Sequence, residues 1–421
     1  MRMNKGRENA PIEKPVQKIE LSEKGVTKRA ILAVALLAFG LIFIGYSVYN
    51  WLSRDNGWTK IEPTKITSES AAADLNLIYE LGVSDMASTA EYKAVSALYT
   101  ELCANAFRIF HADYGYDGVH NPYYINRNIG QQIEVDPALY RAFEQIEQSG
   151  NRFLFAAPFY TEYRNMFTDT EDHSAAQLDP YKNESVAEYF AQLSAFTSSE
   201  EHVDLELLGS NRVRLVVSDE FKAFADENGI DCFIDFFWAK NAFIVDYVAD
   251  SLVAEGYVYG SISSVDGFMR TFDTRDGSFT YELLGRVGKN AYKAGKIEYN
   301  GQSSIVFLRS FKLYDTDMIY YRYKDGTERH AYIDVNDGLC KNALDTLTAY
   351  SAELSCGQVL LLAMPVYVAN ELDVESLASL ADKGIYSLWF DDTVLCYNEE
   401  GAVIKDLYDD GKTKFSAKYV K

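Results

Sequence analysis

The chain has 421 residues, of which 48% are hydrophobic and 24% are charged, so it can form one large domain or two ordinary ones with a sizeable core. Its formal net charge of -22 argues against a partner such as nucleic acid or an anionic membrane surface, because both require clustered Lys and Arg. Beyond that, the acidity bears on solubility and association rather than on fold.

The first element along the chain is an uncharged apolar run from Ala30 to Tyr49. As a helix it is long enough to cross a bilayer. The tail before it, residues 1–29, is rich in Lys and Arg, and Lys28 and Arg29 directly precede the run. The positive-inside rule then keeps the tail in the cytoplasm and places the rest of the chain outside. We predict a signal anchor in the cell membrane at residues 30–50. A cleaved signal peptide is the alternative, but no small-x-small cleavage site follows the run.

The remaining chain divides into a polar juxtamembrane linker at residues 51–71 and one extracytoplasmic domain at residues 72–421. Within the domain, apolar spacing predicts a strand at 74–82 and a helix at 89–112. Asp136 as N-cap, Pro137 at the first helical position and Gly150 as a stop predict a second helix.

A third helix is predicted near residues 183–196, followed by two short strands across the turn 209–211. Strands dominate after residue 257, although the apolar run 358–368 fits a helix or a strand equally well. A polar helix at 371–384 precedes a last hairpin. Because hairpins and helices mix without strict alternation, we predict an α+β fold with mixed or antiparallel sheets and packed helices.

The five cysteines are widely spaced and form no CxxC pair, so neither a zinc site nor a redox motif is indicated. Their neighbours are mostly apolar, which favours buried free thiols, with a disulfide as the open alternative.

Residues 235–270 read DFFWAKNAFIVDYVADSLVAEGYVYGSISSVDGFMR. Without gaps they overlay the pattern D-L-G-G-I-A-K-G-Y-A-V-D…G…N-x-G-G-D-x-R, in the outline of a strand–helix–strand unit. Asp235 and Asp246 fall on its first and second aspartates, and Gly256 falls on the glycine that ends the helix. This segment resembles the ApbE-type FAD:protein FMN transferases. Weaker motifs continue the resemblance, in the family's order, from about residue 72 to the C-terminus.

The resemblance implies an ApbE-like domain descended from enzymes that bind FAD with magnesium and pass FMN to a threonine of an acceptor protein. Magnesium takes hard oxygen ligands. The family's carboxylate and hydroxyl ligands fall on Leu360 and Met364, and its third ligand, a backbone carbonyl, falls on Lys240. Two of the three ligand positions are therefore apolar in this sequence.

The resemblance also assigns the candidate site residues. Cofactor-binding positions fall on Asp235, Lys240, Asn241, Asp266 and Gly267. Asp246 falls within the helix that begins near Asn241, where solvation or helix pairing explains its presence as well as a functional role does, and we favour the structural role.

Catalytic positions fall on His330, which neighbours the family's histidine position, and on Asp334. A buried hydrogen-bonding histidine and an Asx turn are the structural alternatives for these two. The glycines that would lie close to phosphate are replaced by Phe237 and Trp238.

These departures predict a degenerate ApbE-like protein with a flavin-binding or scaffold role near membrane redox proteins. One alternative is an active, magnesium-dependent FMN transferase that modifies a threonine of a flavoprotein acceptor. The other is an extracytoplasmic binding module unrelated to flavin.

Overall fold

The computed structural model describes residues 56–314 and 317–420. The anchor predicted at residues 30–50 lies outside the described residues. None of the helices in the described ranges combines the length and the apolar character needed to cross a bilayer.

The α-helices of the described residues, numbered in chain order, differ widely in length. They are α1 (Ser88–Ile109), α2 (Pro122–Arg127), α3 (Pro137–Ser149), α4 (Ala157–Thr168), α5 (Asp172–Leu178), α6 (Glu184–Thr197), α7 (Asp219–Asn228), α8 (Lys240–Ala254), α9 (Cys356–Tyr367) and α10 (Val374–Ser379).

The strands are mostly short and are numbered in the same way. They are β1 (Gly57–Ile61), β2 (Leu75–Leu81), β3 (Ile133–Glu134), β4 (Val203–Leu207), β5 (Arg212–Val217), β6 (Gly260–Ser264), β7 (Phe268–Thr271), β8 (Ser278–Val287), β9 (Asn290–Asn300), β10 (Ser303–Arg309), β11 (Tyr320–Arg322), β12 (Glu328–His330), β13 (Thr346–Ser351), β14 (Tyr386–Asp391), β15 (Val394–Tyr397), β16 (Val403–Lys405) and β17 (Ser416–Tyr419).

A nine-stranded sheet organises the domain, in the order β1-β2-β6-β7-β10-β13-β14-β15-β17. Its neighbours pair antiparallel except β15 and β17, which pair parallel. Smaller sheets are formed by β16-β9-β8, by β3-β5-β4 and by the hairpin β11-β12. This mixture of helices with largely antiparallel sheets confirms the α+β prediction.

The core lies on both faces of the large sheet. On one face, α8 and α9 pack against β6, β7, β10 and β13. These two helices are apolar around most of their circumference and are buried accordingly. On the other face, side chains of β8 and β9 form a second cluster with β10, β13, β14 and β15. Because β10 and β13 are covered on both faces, every residue in them is buried.

Local signals in the sequence predicted several elements correctly. Asp136 accepts a hydrogen bond from the Ala138 N–H at 2.8 Å and caps α3. Gly150 ends that helix in the left-handed region at φ 68°. The ambiguous run 358–368 is helical, and a capping box between Ser355 and Gln358 fixes where α9 begins.

Other predictions need correction. Residues 51–71 were predicted as linker, yet β1 lies within them and pairs with β2, so the described domain begins before residue 72. The strand expected before α8 does not form, because residues 231–236 are irregular and lead into a 3-10 turn at Phe237–Ala239. The polar helix at 371–384 is interrupted and contributes only α10 and a 3-10 turn.

The five cysteines are free thiols. Four are buried and Cys232 is partly buried. Burial raises the pKa of Cys340 to about 11, so this thiol stays protonated at neutral pH.

Candidate functional site

Asp235 lies in the irregular segment that precedes α8, and its carboxylate is buried. One oxygen accepts a hydrogen bond from the Phe237 N–H at 2.9 Å. The other forms an ion pair with Arg164, which also pairs with Asp113 at 3.1 Å. Both oxygens of Asp235 are thus engaged within the protein, and the side chain holds the segment against α4.

Phe237 occupies a backbone conformation that favours glycine. Its φ is 39°, in the left-handed region, where a bulky residue is strained by about 1–2 kcal/mol. Its ring lies 4.8 Å from the Tyr160 ring and 4.4 Å below the Arg164 guanidinium. The resemblance places a family glycine at this position, and Phe237 has a backbone conformation that glycine adopts without strain.

Trp238, the next residue, is buried among aromatic rings. Its indole lies 4.7 Å from the Tyr332 ring, and Tyr332 contacts the rings of Tyr367 at 5.2 Å and His330 at 5.1 Å. Within the described residues, the Trp238 Nε1, the Tyr367 hydroxyl and the His330 Nδ1 have no hydrogen-bond partner. Aromatic side chains therefore fill the interior next to the predicted cofactor segment.

Lys240 and Asn241 begin α8. The Asn241 Nδ2 donates to Asp266 at 2.9 Å, and Asp266 also accepts from the Ser264 hydroxyl. Burial raises the pKa of Asp266 to about 6. The pKa of His111 is lowered, mainly because its ring is buried and next because of the Lys240 charge. The structure thus joins two predicted site residues, Asn241 and Asp266, by a direct hydrogen bond.

Gly267 lies in the tight turn between β6 and β7, with φ 108°. A Cβ atom at this position would lie 2.4 Å from the Phe307 carbonyl oxygen. The Phe307 N–H in turn donates to the Gly267 carbonyl at 2.8 Å. The close approach of β10 therefore explains why this position is glycine.

Asp246 caps another helix from within α8. Its carboxylate accepts hydrogen bonds from the backbone N–H groups of Cys356 and Gly357 at 2.8 and 2.7 Å, and it pairs with Arg270 at 3.2 Å. Burial raises its pKa, although Arg270 and the two N–H groups favour the charged form. Asp246 thus fixes the N-terminus of α9 against α8.

The two predicted catalytic residues have separate partners. His330 ends β12 and its Nε2 lies 3.0 Å from the Asn342 Oδ1; burial lowers the pKa of this histidine to about 4. Asp334 forms an Asx turn with the Asn336 N–H at 2.9 Å and pairs with Lys341 at 2.8 Å. Burial acts to raise the pKa of Asp334, but Lys341 and the turn outweigh it and the pKa is lowered.

Leu360 and Met364 lie one turn apart on α9. Leu360 is fully buried, and the Met364 sulfur accepts a hydrogen bond from the Asn151 Nδ2 at 3.3 Å. Met364 and Asp334 line a groove of about 340 Å³. Within residues 56–314 and 317–420, no group of three or more His, Cys, Asp and Glu side chains could hold a metal ion.

Solved structures of similar fold exist. The crystal structure of the ApbE protein of Thermotoga maritima matches with a TM-score of 0.54 and 12% sequence identity, covering 85% of this chain and 100% of that one. The chain has an ApbE-like fold. The flavin transferase ApbE of Vibrio cholerae matches at a TM-score of 0.49 and 12% identity, over 83% of this chain and 98% of that one. The apo flavinyl transferase ApbE of Pseudomonas stutzeri matches at 0.47 and 12%, over 83% and 94%.

No protein-family model matches the sequence, and no curated protein is significantly similar to it. The resemblance to ApbE proteins noted in the sequence is thus confirmed at the level of fold.

Sequence reasoning missed the residues that hold the candidate site of this ApbE-like domain together. Arg164 pairs with Asp235, and Ser264 donates a hydrogen bond to Asp266. Asn342 binds His330. Arg164 and Asn342 lie outside the quoted motifs, and Ser264 lies within residues 235–270 but was not among the candidate site residues. The role of Arg164 can be recognised only from the folded structure, because Arg164 is 71 residues from Asp235 along the chain.

Proposed function

We propose that the chain is a membrane-anchored, extracytoplasmic ApbE-like protein that has lost flavin transfer. It is held at the cell membrane by residues 30–50, and its domain has a flavin-binding or scaffold role beside membrane redox proteins. The ApbE-like fold supports the descent, and the apolar run with its basic flank supports the anchor.

One observation carries the loss of transfer: the two positions that the resemblance assigns to the carboxylate and hydroxyl ligands of magnesium are Leu360 and Met364. Neither side chain has an oxygen, and Leu360 is sealed in the core. Magnesium requires oxygen ligands in near-octahedral geometry. The residues at these positions do not fit the ion, so we assign no transfer step to this protein.

The remaining carboxylates support the same proposal. Asp235 is engaged by Arg164 and the Phe237 N–H, and Asp246 by Arg270 and the start of α9. A carboxylate with such partners stabilises the fold and would have to break those contacts to bind a cation.

The test uses the full-length protein purified in detergent. FAD and Mg²⁺ are added, and the release of AMP and FMN is followed by chromatography, with the flavin transferase ApbE of Vibrio cholerae as the positive control. We expect no Mg²⁺-dependent cleavage by this chain. Cleavage that depends on Mg²⁺ would overturn the proposal and establish an active transferase.

Calorimetric titration with FAD, with and without Mg²⁺, separates the remaining roles. Binding whose affinity is independent of Mg²⁺ supports a flavin-binding protein without turnover. If FAD does not bind, a scaffold role is favoured. If, in addition, no redox protein copurifies with the chain, a binding module unrelated to flavin is favoured.

A further inference from the structure

Two residues of α4 form a surface that the Phe237 ring covers. Tyr160 and Arg164 are four positions apart, so their side chains lie on the same side of the helix. The Phe237 ring lies 4.8 Å from the Tyr160 ring at an interplanar angle of 38°, and the Arg164 guanidinium carbon lies 4.4 Å from the centroid of the Phe237 ring. We call the space that this ring fills, against Tyr160 and Arg164, the aromatic slot.

The two side chains that line the aromatic slot are held by contacts other than those to the ring that fills it. The Tyr160 hydroxyl donates to the Phe153 carbonyl at 3.1 Å. Arg164 pairs with Asp113 at 3.1 Å and also with Asp235. The lining of the slot is therefore pre-organised and does not depend on which ring occupies it.

Phe237 is held less firmly than the residues on either side of it. Phe236 and Trp238 are buried, whereas Phe237 is partly exposed. Its φ of 39° strains a residue that has a Cβ atom, and such strain persists only where surrounding contacts enforce it. The contacts of the ring with Tyr160 and Arg164 are among those that do so. A ligand that took over these two contacts would release the strain, which lowers the free-energy cost of displacing the ring.

The lining of the slot favours a flat aromatic ring. A guanidinium over the face of a ring is attracted to the π-electrons, and an aromatic neighbour favours another aromatic ring over an aliphatic group. Arg164 is already paired with two carboxylates, so the slot offers no net positive charge to an anion. Tyr114 is 65% exposed and follows Asp113, the exposed partner of Arg164, so a second aromatic side chain lies one residue from this contact. These features select an uncharged, planar ring.

We propose that the aromatic slot binds the planar ring of a ligand and that Phe237 is its displaceable internal occupant. For the identity of that ring we rest on the flavin-binding role of the proposed function: an oxidised flavin, whose ring system is planar and aromatic, enters the slot as Phe237 leaves. Phe237 then lowers the apparent affinity for flavin according to the fraction of molecules in which the slot is open. It is a gate and not a ligand of the flavin.

Calorimetric titration of the full-length protein with FAD, in detergent and without Mg²⁺, measures the gate. Phe237→Gly removes the ring and suits the left-handed φ, so FAD should bind about tenfold more tightly than it binds the unsubstituted chain. Phe237→Ala also opens the slot and should show the same gain, although it keeps the backbone strain. Phe237→Tyr keeps an aromatic ring in the slot and is the matched control, with an affinity close to that of the unsubstituted chain.

A second measurement tests the slot without flavin. Benzamide and cyclohexanecarboxamide differ only in whether the ring is planar and aromatic. Benzamide should raise the melting temperature of Phe237→Gly, because a small aromatic molecule stabilises a cavity of matching shape. Cyclohexanecarboxamide should have no such effect, and neither amide should stabilise Phe237→Tyr.

The outcomes separate the slot from the proposed flavin role. If FAD binds every variant and the unsubstituted chain with equal affinity, the flavin role stands and the gate is wrong. If FAD binds none of them but benzamide stabilises Phe237→Gly, the flavin role fails and the slot stands as a site for another aromatic ring. If benzamide stabilises neither Phe237→Gly nor Phe237→Ala, the slot is wrong, whatever the affinity for FAD.

Discussion

Asp246 accepts a hydrogen bond from the backbone N–H of Cys356 at 2.8 Å, and so the middle of α8 caps the start of α9. The second carboxylate oxygen accepts from the Gly357 N–H at 2.7 Å. The two residues are 110 positions apart in the chain. This contact gives the second aspartate of the ApbE-like segment a structural task that explains its presence without a bound ligand.

The Asp246→Asn substitution should lower the free energy of unfolding by roughly 2–3 kcal/mol, because the amide keeps one acceptor oxygen and turns an NH2 group toward the other N–H, and because Arg270 loses its buried charged partner. Urea unfolding measures the change. Asp250→Asn is the control, since Asp250 pairs with Arg270 and Arg141 on a more exposed surface and should cost less than about 1 kcal/mol. Equal losses in the two variants would contradict the capping role.

The Gly267→Ala substitution should destabilise the domain by more than about 3 kcal/mol, since the added methyl group would collide with the Phe307 carbonyl in addition to straining the backbone. Gly256→Ala provides the comparison. Gly256 has a φ of 87° and open space around it, so it carries only the conformational penalty of about 1 kcal/mol. Thermal unfolding of both variants separates the collision from the backbone strain.

Two buried groups should give the folding stability opposite dependences on pH. The pKa of Asp266 is raised to about 6, so its contribution is complete below the unfolded value near 4 and is lost as pH rises through 6. The pKa of His330 is lowered to about 4, so its contribution is complete above 6.5 and is lost as pH falls through 4. Each contributes on the order of 3 kcal/mol, and between pH 4 and 6.5 the two oppose each other.

Single substitutions should therefore expose each slope. Relative to the unsubstituted protein, the urea midpoints of Asp266→Asn should rise with pH from 4 to 6.5, because the opposing contribution of Asp266 is removed. In His330→Gln they should fall over the same range. Two variants whose pH profiles both parallel the unsubstituted protein would rule out these assignments.

The Leu360→Asp substitution should destabilise the domain by several kcal/mol, because it places a carboxylate in an apolar, fully buried position. Adding Mg²⁺ should not restore the melting temperature, since Met364 still provides no oxygen. Leu360→Met is the control for altered packing and should cost less than about 1.5 kcal/mol. A melting temperature that rises with Mg²⁺ in the aspartate variant alone would reveal a latent metal site.

Local sequence patterns predicted much of the fold. The helical spacing of α1, the cap and stop of α3 and the hairpin β4–β5 were predicted because each depends on neighbouring residues. β1 was missed because five residues with a polar flank give a weak alternation, and its pairing with β2 decides its structure. The prediction of a strand before α8 was wrong. Residues 231–236 are held by the ion pair of Asp235 with Arg164 on α4 and not by pairing with a sheet.

By itself the sequence determined the α+β class and most of the helices and hairpins, since these follow from spacing and local caps, while the candidate side chains came from the resemblance to the ApbE-type proteins. Only the tertiary structure decided what the candidates do. Whether a carboxylate serves as a ligand or as a structural partner depends on the charges and N–H groups that lie within hydrogen-bond distance of it. The Arg164 guanidinium that pairs with Asp235 and the Gly357 N–H that binds Asp246 come from distant parts of the chain, brought near by the packing of α4, α8 and α9.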